Sequence, residues 1–131
     1  MEEKLKQISK EDVIKLLQNN KVELRSTHDK LCLPIINRLY KKMSIGIKFS
    51  AIKVEDDLIL DGHHRYLASL LANYQLERVP SNKTAATIIT DWSSIAFVDE
   101  DWDTEAKIKM LNEQDAKYNN VSLEKIDGLM Q

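Results

Sequence analysis

The chain has 131 residues, 43% of them hydrophobic and 31% charged, with 19 basic side chains against 21 acidic ones. That length suits one globular domain, so residues 1–131 read as a single unit. A net charge of −2 withholds the basic surplus that a duplex-DNA binder needs to neutralise phosphates. The single cysteine, Cys32, excludes an internal disulfide and a multi-cysteine metal centre. No apolar run approaches the roughly 18 residues of a membrane span, so no membrane partner is expected. The N-terminal segment MEEKLKQISKED has no signal-peptide core, and the expected compartment is the cytoplasm.

In chain order, Met1–Ile8 reads as a charged, frayed turn. Ser9 and Asp12 have the spacing of a capping box and open a helix to Asn19, with Val13, Leu16 and Leu17 as its apolar stripe. Lys21–Arg25 alternates and predicts a short strand. A small polar loop, Ser26–Asp29, follows. Leu31, Ile35, Leu39 and Met43 recur at helical spacing, and Pro34 fits only a first turn, so the helix starts near Leu33 and stops by Gly46. Phe49–Val54 and Leu58–Leu60 predict a β-hairpin with an acidic turn. Asp61-Gly62 breaks the second strand, and a helix runs from His63 to Asn73 with Leu67, Leu70, Leu71 and Tyr74 inward. Beyond Pro80, Thr84–Thr90 and Ser94–Val98 read as strands. Asp99–Asp103 is an acidic loop, Thr104–Tyr118 a helix with Ile108, Leu111 and Met110 inward, and Val121–Gln131 a short closing helix capped by Ser122. The expected fold class is α/β in the mixed α+β sense, a small mixed sheet surrounded by helices.

Chemistry concentrates in Asp61-Gly62-His63-His64-Arg65. A buried strand delivers an acid and a glycine, and two histidines and an arginine fill the first turn of the next helix. The free amides of that turn carry partial positive charge and attract anions. Gly62 admits backbone angles closed to other residues and lets a ligand approach the main chain. Arg65 offers a planar fork for phosphate oxygens. His63 and His64 can donate to the same oxygens or exchange protons near neutral pH. Asp61 can orient a nucleophile, take a proton or hold a metal ion that bridges phosphates. A turn of this composition also serves as a plain cap, but a basic cluster at a positive helix end repels itself unless an anion is bound.

This D-G-H-H-R stretch, with the Ala-containing helix after it and Val79-Pro80 beyond, resembles the signature of the ParB/sulfiredoxin superfamily, in the branch that includes the free-serine kinase-like enzymes. The resemblance covers residues 22–80 and leaves 81–131 as a C-terminal extension. It implies a ParB/sulfiredoxin-like fold and a turn that holds a nucleotide, ATP or ADP, with Mg²⁺. It also implies a second acid upstream: Thr27-His28-Asp29 occupies that place, although an Asp stands where a Glu is expected. On this reading Asp29 is the general base, Asp61 assists it or holds Mg²⁺, and Gly62, His63, His64, Arg65 and His28 hold phosphates. The implied activity is phosphoryl transfer to a small hydroxyl compound, or hydrolysis of a phosphate ester. Sulfiredoxin-like chemistry would need a cysteine where His63 stands.

Three alternatives stay open. The turn can hold a nucleotide as a signal without turnover, with the Trp-bearing C-terminal part contacting a protein partner or a second copy. The histidines and acids can serve a ParB-like nuclease by metal-assisted hydrolysis. The chain can also be a scaffold that has lost activity, as part of a defence or toxin system. Elsewhere the expectations are plain: the acids of Asp99–Glu105 as solvated or helix-start groups, Arg38, Lys41 and Lys42 as a solvated helix face, Trp92 and Trp102 as core or rim anchors, and Cys32 as a buried thiol.

Overall fold

A computed structural model of the chain describes residues 6–19 and 22–130. The expectations for Met1–Leu5, Lys21 and Gln131 lie outside the described residues. In chain order the elements are α1 (Lys10–Asn19), β1 (Lys30–Cys32), α2 (Leu33–Ser44), β2 (Ile52–Glu55), β3 (Leu58–Asp61), α3 (His63–Ala72), β4 (Arg78–Pro80), β5 (Ala96–Val98), α4 (Glu105–Asn119) and α5 (Leu123–Asp127). The class is mixed α/β, as expected.

Local rules explain most of the boundaries. At α1 the capping box forms: Ser9 Oγ accepts from the Asp12 amide at 3.2 Å, and the Asp12 carboxylate accepts from the Ser9 amide at 2.8 Å. Pro34 sits in the first turn of α2, where its missing N–H costs nothing, and Gly46 ends the run at φ +91°. β2 and β3 form the expected antiparallel hairpin, turned at Asp56 (φ +51°). β4 adds to β2 in parallel, giving the order β3-β2-β4. β1 and β5 form a separate parallel pair. Ile36, Ile52, Ile59 and Leu67 pack the main core between α2, α3 and the hairpin, and a smaller cluster of Ile47, Ala116 and Ile126 holds α4 and α5.

Two expected strands do not form. Around Leu24 the chain makes only isolated bridges, Arg25 to Leu58 and Ser26 to Thr90. Side chains replace the ladder: the Leu24 amide donates to Tyr66 Oη at 3.3 Å, and the Leu24 carbonyl accepts from the Trp92 indole at 2.9 Å. Thr84–Thr90 is irregular up to its bridge at Thr90, and Ile88 is 72% exposed. Its β-branched composition favours a strand only where a neighbouring strand and a core face are available. Helix faces are corrected as well. Ile36 and Met43 are the buried apolar residues in the middle and last turns of α2, Ile35 and Leu39 are half-buried, and Met110 of α4 is exposed.

Candidate functional site

The hairpin, α2, α3 and α4 line a partly open hollow of about 350 Å³. His28, Asp61, Gly62, His63, His64 and Arg65 all line it, so the motif and one upstream histidine converge. Asp29 is not part of that wall. It is exposed, and its carbonyl accepts from the Ala96 amide at 3.0 Å where β1 and β5 begin to pair.

Gly62 makes the junction possible. It caps α3 at φ +102°, and a Cβ there would lie 2.4 Å from Ile52 Cγ2. The cap has no side chain, so nothing from the cap residue covers the first-turn amides of α3.

The two imidazoles are not cations. The Thr27 amide donates to His63 Nε2 at 3.0 Å, and the Cys32 amide donates to His64 Nε2 at 2.9 Å. A main-chain N–H can only donate, so each Nε2 must carry a lone pair and each ring must hold its proton on Nδ1. The Thr27 hydroxyl is spent on the Ile59 carbonyl at 2.6 Å. Burial, then the neighbouring His28 and His64 rings, pushes the His63 pKa down to about 3. Burial, then His28, pushes His64 down to about 4, against the pull of Asp103. His63 is 2% exposed, and its Nδ1 is buried with no hydrogen-bond partner among the described residues. The His28 ring stacks on it with centroids 4.0 Å apart, and Trp102 meets His64 edge-on at 5.5 Å. Trp102 is thus a rim residue, while Trp92 stacks on Tyr66 and anchors the core, in line with the sequence reading.

Arg65 is the cation of the motif. Its Nη1 donates to Ser50 Oγ at 2.7 Å and to the Ser50 carbonyl at 3.0 Å, and its Nη2 lies 3.4 Å from Asp61. That Asp61 carboxylate is 64% exposed, so this ion pair is weak.

The opposite wall was missed in the sequence. Arg38 and Lys42 are no solvated face: their side chains are 14% and 4% exposed and line the hollow. Arg38 forks onto Asp101 at 2.6 and 3.0 Å and reaches Asp103 at 2.9 Å, so two acids of the expected solvated loop are structural. Burial opposes the Arg38 charge, and Asp101 and Asp103 outweigh it, raising its pKa. Lys42 meets Asp115 of α4 at 2.7 Å. Ile35, Leu39, Phe49 and Leu111 supply apolar surface between the two walls. The available signal was the i, i+4 spacing of Arg38 with Lys42 and of Ile35 with Leu39, which places both pairs along one side of α2.

Cys32 is buried at the start of α2, as a thiol donating to the Glu100 carbonyl at 3.4 Å. Among the described residues no three His, Cys, Asp or Glu side chains converge as a metal site, and no helix is long and apolar enough to cross a membrane. No family model, curated protein or solved structure matches the chain.

Proposed function

We propose that the hollow binds a nucleotide through one phosphate group seated at the α3 N-terminus, in a ParB/sulfiredoxin-like domain working in the cytoplasm. The observation that carries this reading is the uncapped first turn of α3, set behind Gly62 and beside Arg65, at a partly open hollow. Helix amides and a guanidinium fork are the donors that phosphate oxygens take. The apolar patch of Ile35, Leu39, Phe49 and Leu111 suits the flat, weakly polar part of the same ligand.

The activity that fits is phosphoryl transfer from ATP or ADP to a small hydroxyl compound. Catalysis would rest on positioning and charge stabilisation. Of the three carboxylates at the hollow, Asp103 and Asp115 are held by Arg38 and Lys42, so the weakly paired Asp61 would orient or deprotonate the acceptor. Mg²⁺ takes oxygen ligands and is commonly held by one or two carboxylates with phosphate oxygens. Asp61 supplies one such oxygen donor, so Mg²⁺ would arrive with the nucleotide and offset the charge of its phosphates. A second copy or a protein partner would complete the wall over the acceptor.

The second reading is nucleotide binding without turnover. It is favoured by the position of Asp29 away from the hollow and by the commitment of Asp103 and Asp115 to Arg38 and Lys42. A thermal-shift screen of nucleotides with and without Mg²⁺, followed by assay of released or transferred phosphate, separates the two. Transfer that Asp61→Ala abolishes while nucleotide affinity persists supports the enzyme. Binding with no transfer supports the module. No response to any nucleotide or to phosphate overturns both.

A further inference from the structure

The structure assigns to Ser50 the role of a positioning residue: it pins one end of the Arg65 guanidinium, so that the other end stands at the α3 N-terminus for a phosphate oxygen of the nucleotide. This rests on reading the hollow as a nucleotide site and deepens it.

Arg65 carries five N–H donors and no acceptor. The two hydrogens of Nη1 are spent on three neutral oxygens: Ser50 Oγ at 2.7 Å, the Ser50 carbonyl at 3.0 Å and the Ala51 carbonyl at 3.4 Å. Nη2 has one long contact, 3.4 Å to Asp61, and Nε has no partner among the described residues. Nε–H and one Nη2–H lie side by side on the planar group, a pair that matches two phosphate oxygens. Nη2 also stands 3.0 Å from the point where a Cβ on Gly62 would lie, so this end of the guanidinium rests against the glycine that caps α3.

Main-chain bonds hold the mount on both sides. The Phe49 amide donates to Tyr74 Oη at 3.2 Å, and the Ile52 amide donates to the Glu77 carbonyl at 2.9 Å. Ile52 opens β2 and stands against Gly62, so residues 50–52 meet both the glycine and the arginine of the motif.

Charge separates this arginine from the other cations of the hollow. Arg38 forks onto Asp101 at 2.6 and 3.0 Å, and Lys42 meets Asp115 at 2.7 Å, so an acid holds each of them. Arg65 is held by uncharged oxygens, and its acid is 3.4 Å away and 64% exposed. Its position is fixed while its charge stays available. Without the Ser50 hydroxyl, the carboxylate of Asp61 competes for the guanidinium and draws the free end away from a phosphate.

ADP is the probe, with affinity read by calorimetry. Ser50 is exposed, so Ser50→Ala should fold as the unsubstituted protein does. It should weaken ADP binding by about three- to tenfold, and Ser50→Thr, which keeps the hydroxyl, should restore it to within about twofold. In an Arg65→Ala background the Ser50→Ala step should change affinity by less than about twofold, because the hydroxyl acts through the guanidinium. Equal weakening in both backgrounds overturns the proposal, as does an ADP affinity that Ser50→Ala alone leaves unchanged; either result leaves the nucleotide reading in place. Absence of ADP and inorganic phosphate binding by the unsubstituted protein overturns that reading and the proposal with it.

Guanidinium nitrogen spectra of Arg65 need no ligand. With Nη1 pinned, the group should show separate Nη1 and Nη2 signals at room temperature, which broaden and merge in Ser50→Ala. A single averaged signal from the unsubstituted protein overturns the proposal.

Discussion

The two walls of the hollow both carry cations and hold them in opposite ways. On the α2 side Arg38 and Lys42 are nearly buried and each is met by carboxylates from the C-terminal part of the chain. On the α3 side the donors are the uncapped helix amides and Arg65, which has a weak partner in an exposed acid. An arriving anion would have to break ion pairs at the first wall and would meet helix amides and a weakly paired guanidinium at the second. Charge alone therefore does not mark a binding surface; unmet donors do. The C-terminal extension supplies the carboxylates of one wall, and the motif supplies the other wall.

The comparison is broken most severely at Gly62. Gly62→Ala would drive a Cβ into Ile52 and force an alanine to φ +102°. A loss of about 3 kcal/mol or more is expected in chemical denaturation, with loss of phosphate binding in whatever fraction folds. A variant as stable as the parent would show that the backbone at this junction is not as described.

Next in size is the paired wall. Asp115→Ala leaves the Lys42 ammonium buried without its carboxylate, at a cost of about 2–3 kcal/mol in folding stability. Adding Lys42→Met should recover most of that loss, because the apolar pair removes the stranded charge. If the double variant is no better than the single one, the pair matters for shape and not for charge.

Acid acts on the other wall. His63 and His64 are neutral when folded, with pKa values near 3 and 4, against an ordinary value of 6.5. The unfolded chain binds their protons first. Their contribution is complete above about pH 6.5 and is lost as pH falls toward 3 to 4, with roughly 1–2 kcal/mol each gone by about pH 5. Denaturation midpoints measured from pH 7 down to 5 should fall accordingly, and His64→Gln should flatten part of the slope. A midpoint that does not move would contradict the neutral rings.

How much of this was legible depends on how far apart the partners lie. The capping box at Ser9 and Asp12, the Pro34 start, the hairpin and the glycine junction at residues 61–65 follow from neighbours a few residues apart, and local chemistry decides them. Leu24 was misread because its backbone is held by Tyr66 and Trp92, 42 and 68 residues away. Arg38 and Lys42 were read as solvated for the same reason: their acids lie 63 to 73 residues on. The two histidines looked like a basic cluster because their neutrality is imposed by main-chain amides of another segment.

The smallest effect concerns the segment that reads as a strand and is not one. Ile88 is 72% exposed and packs against nothing that a polar residue would disturb, so Ile88→Ser should change stability by less than about 0.5 kcal/mol. A larger loss would mean that Thr84–Thr90 is covered in solution.

The most direct measurement follows the backbone amides of the chain by nuclear magnetic resonance while inorganic phosphate is added. The amides of His63, His64 and Arg65 should shift together and saturate, with those near Arg38 and Lys42 moving less. Shifts confined to exposed lysines, or none at the start of α3, would contradict the claim that an oxyanion rests there.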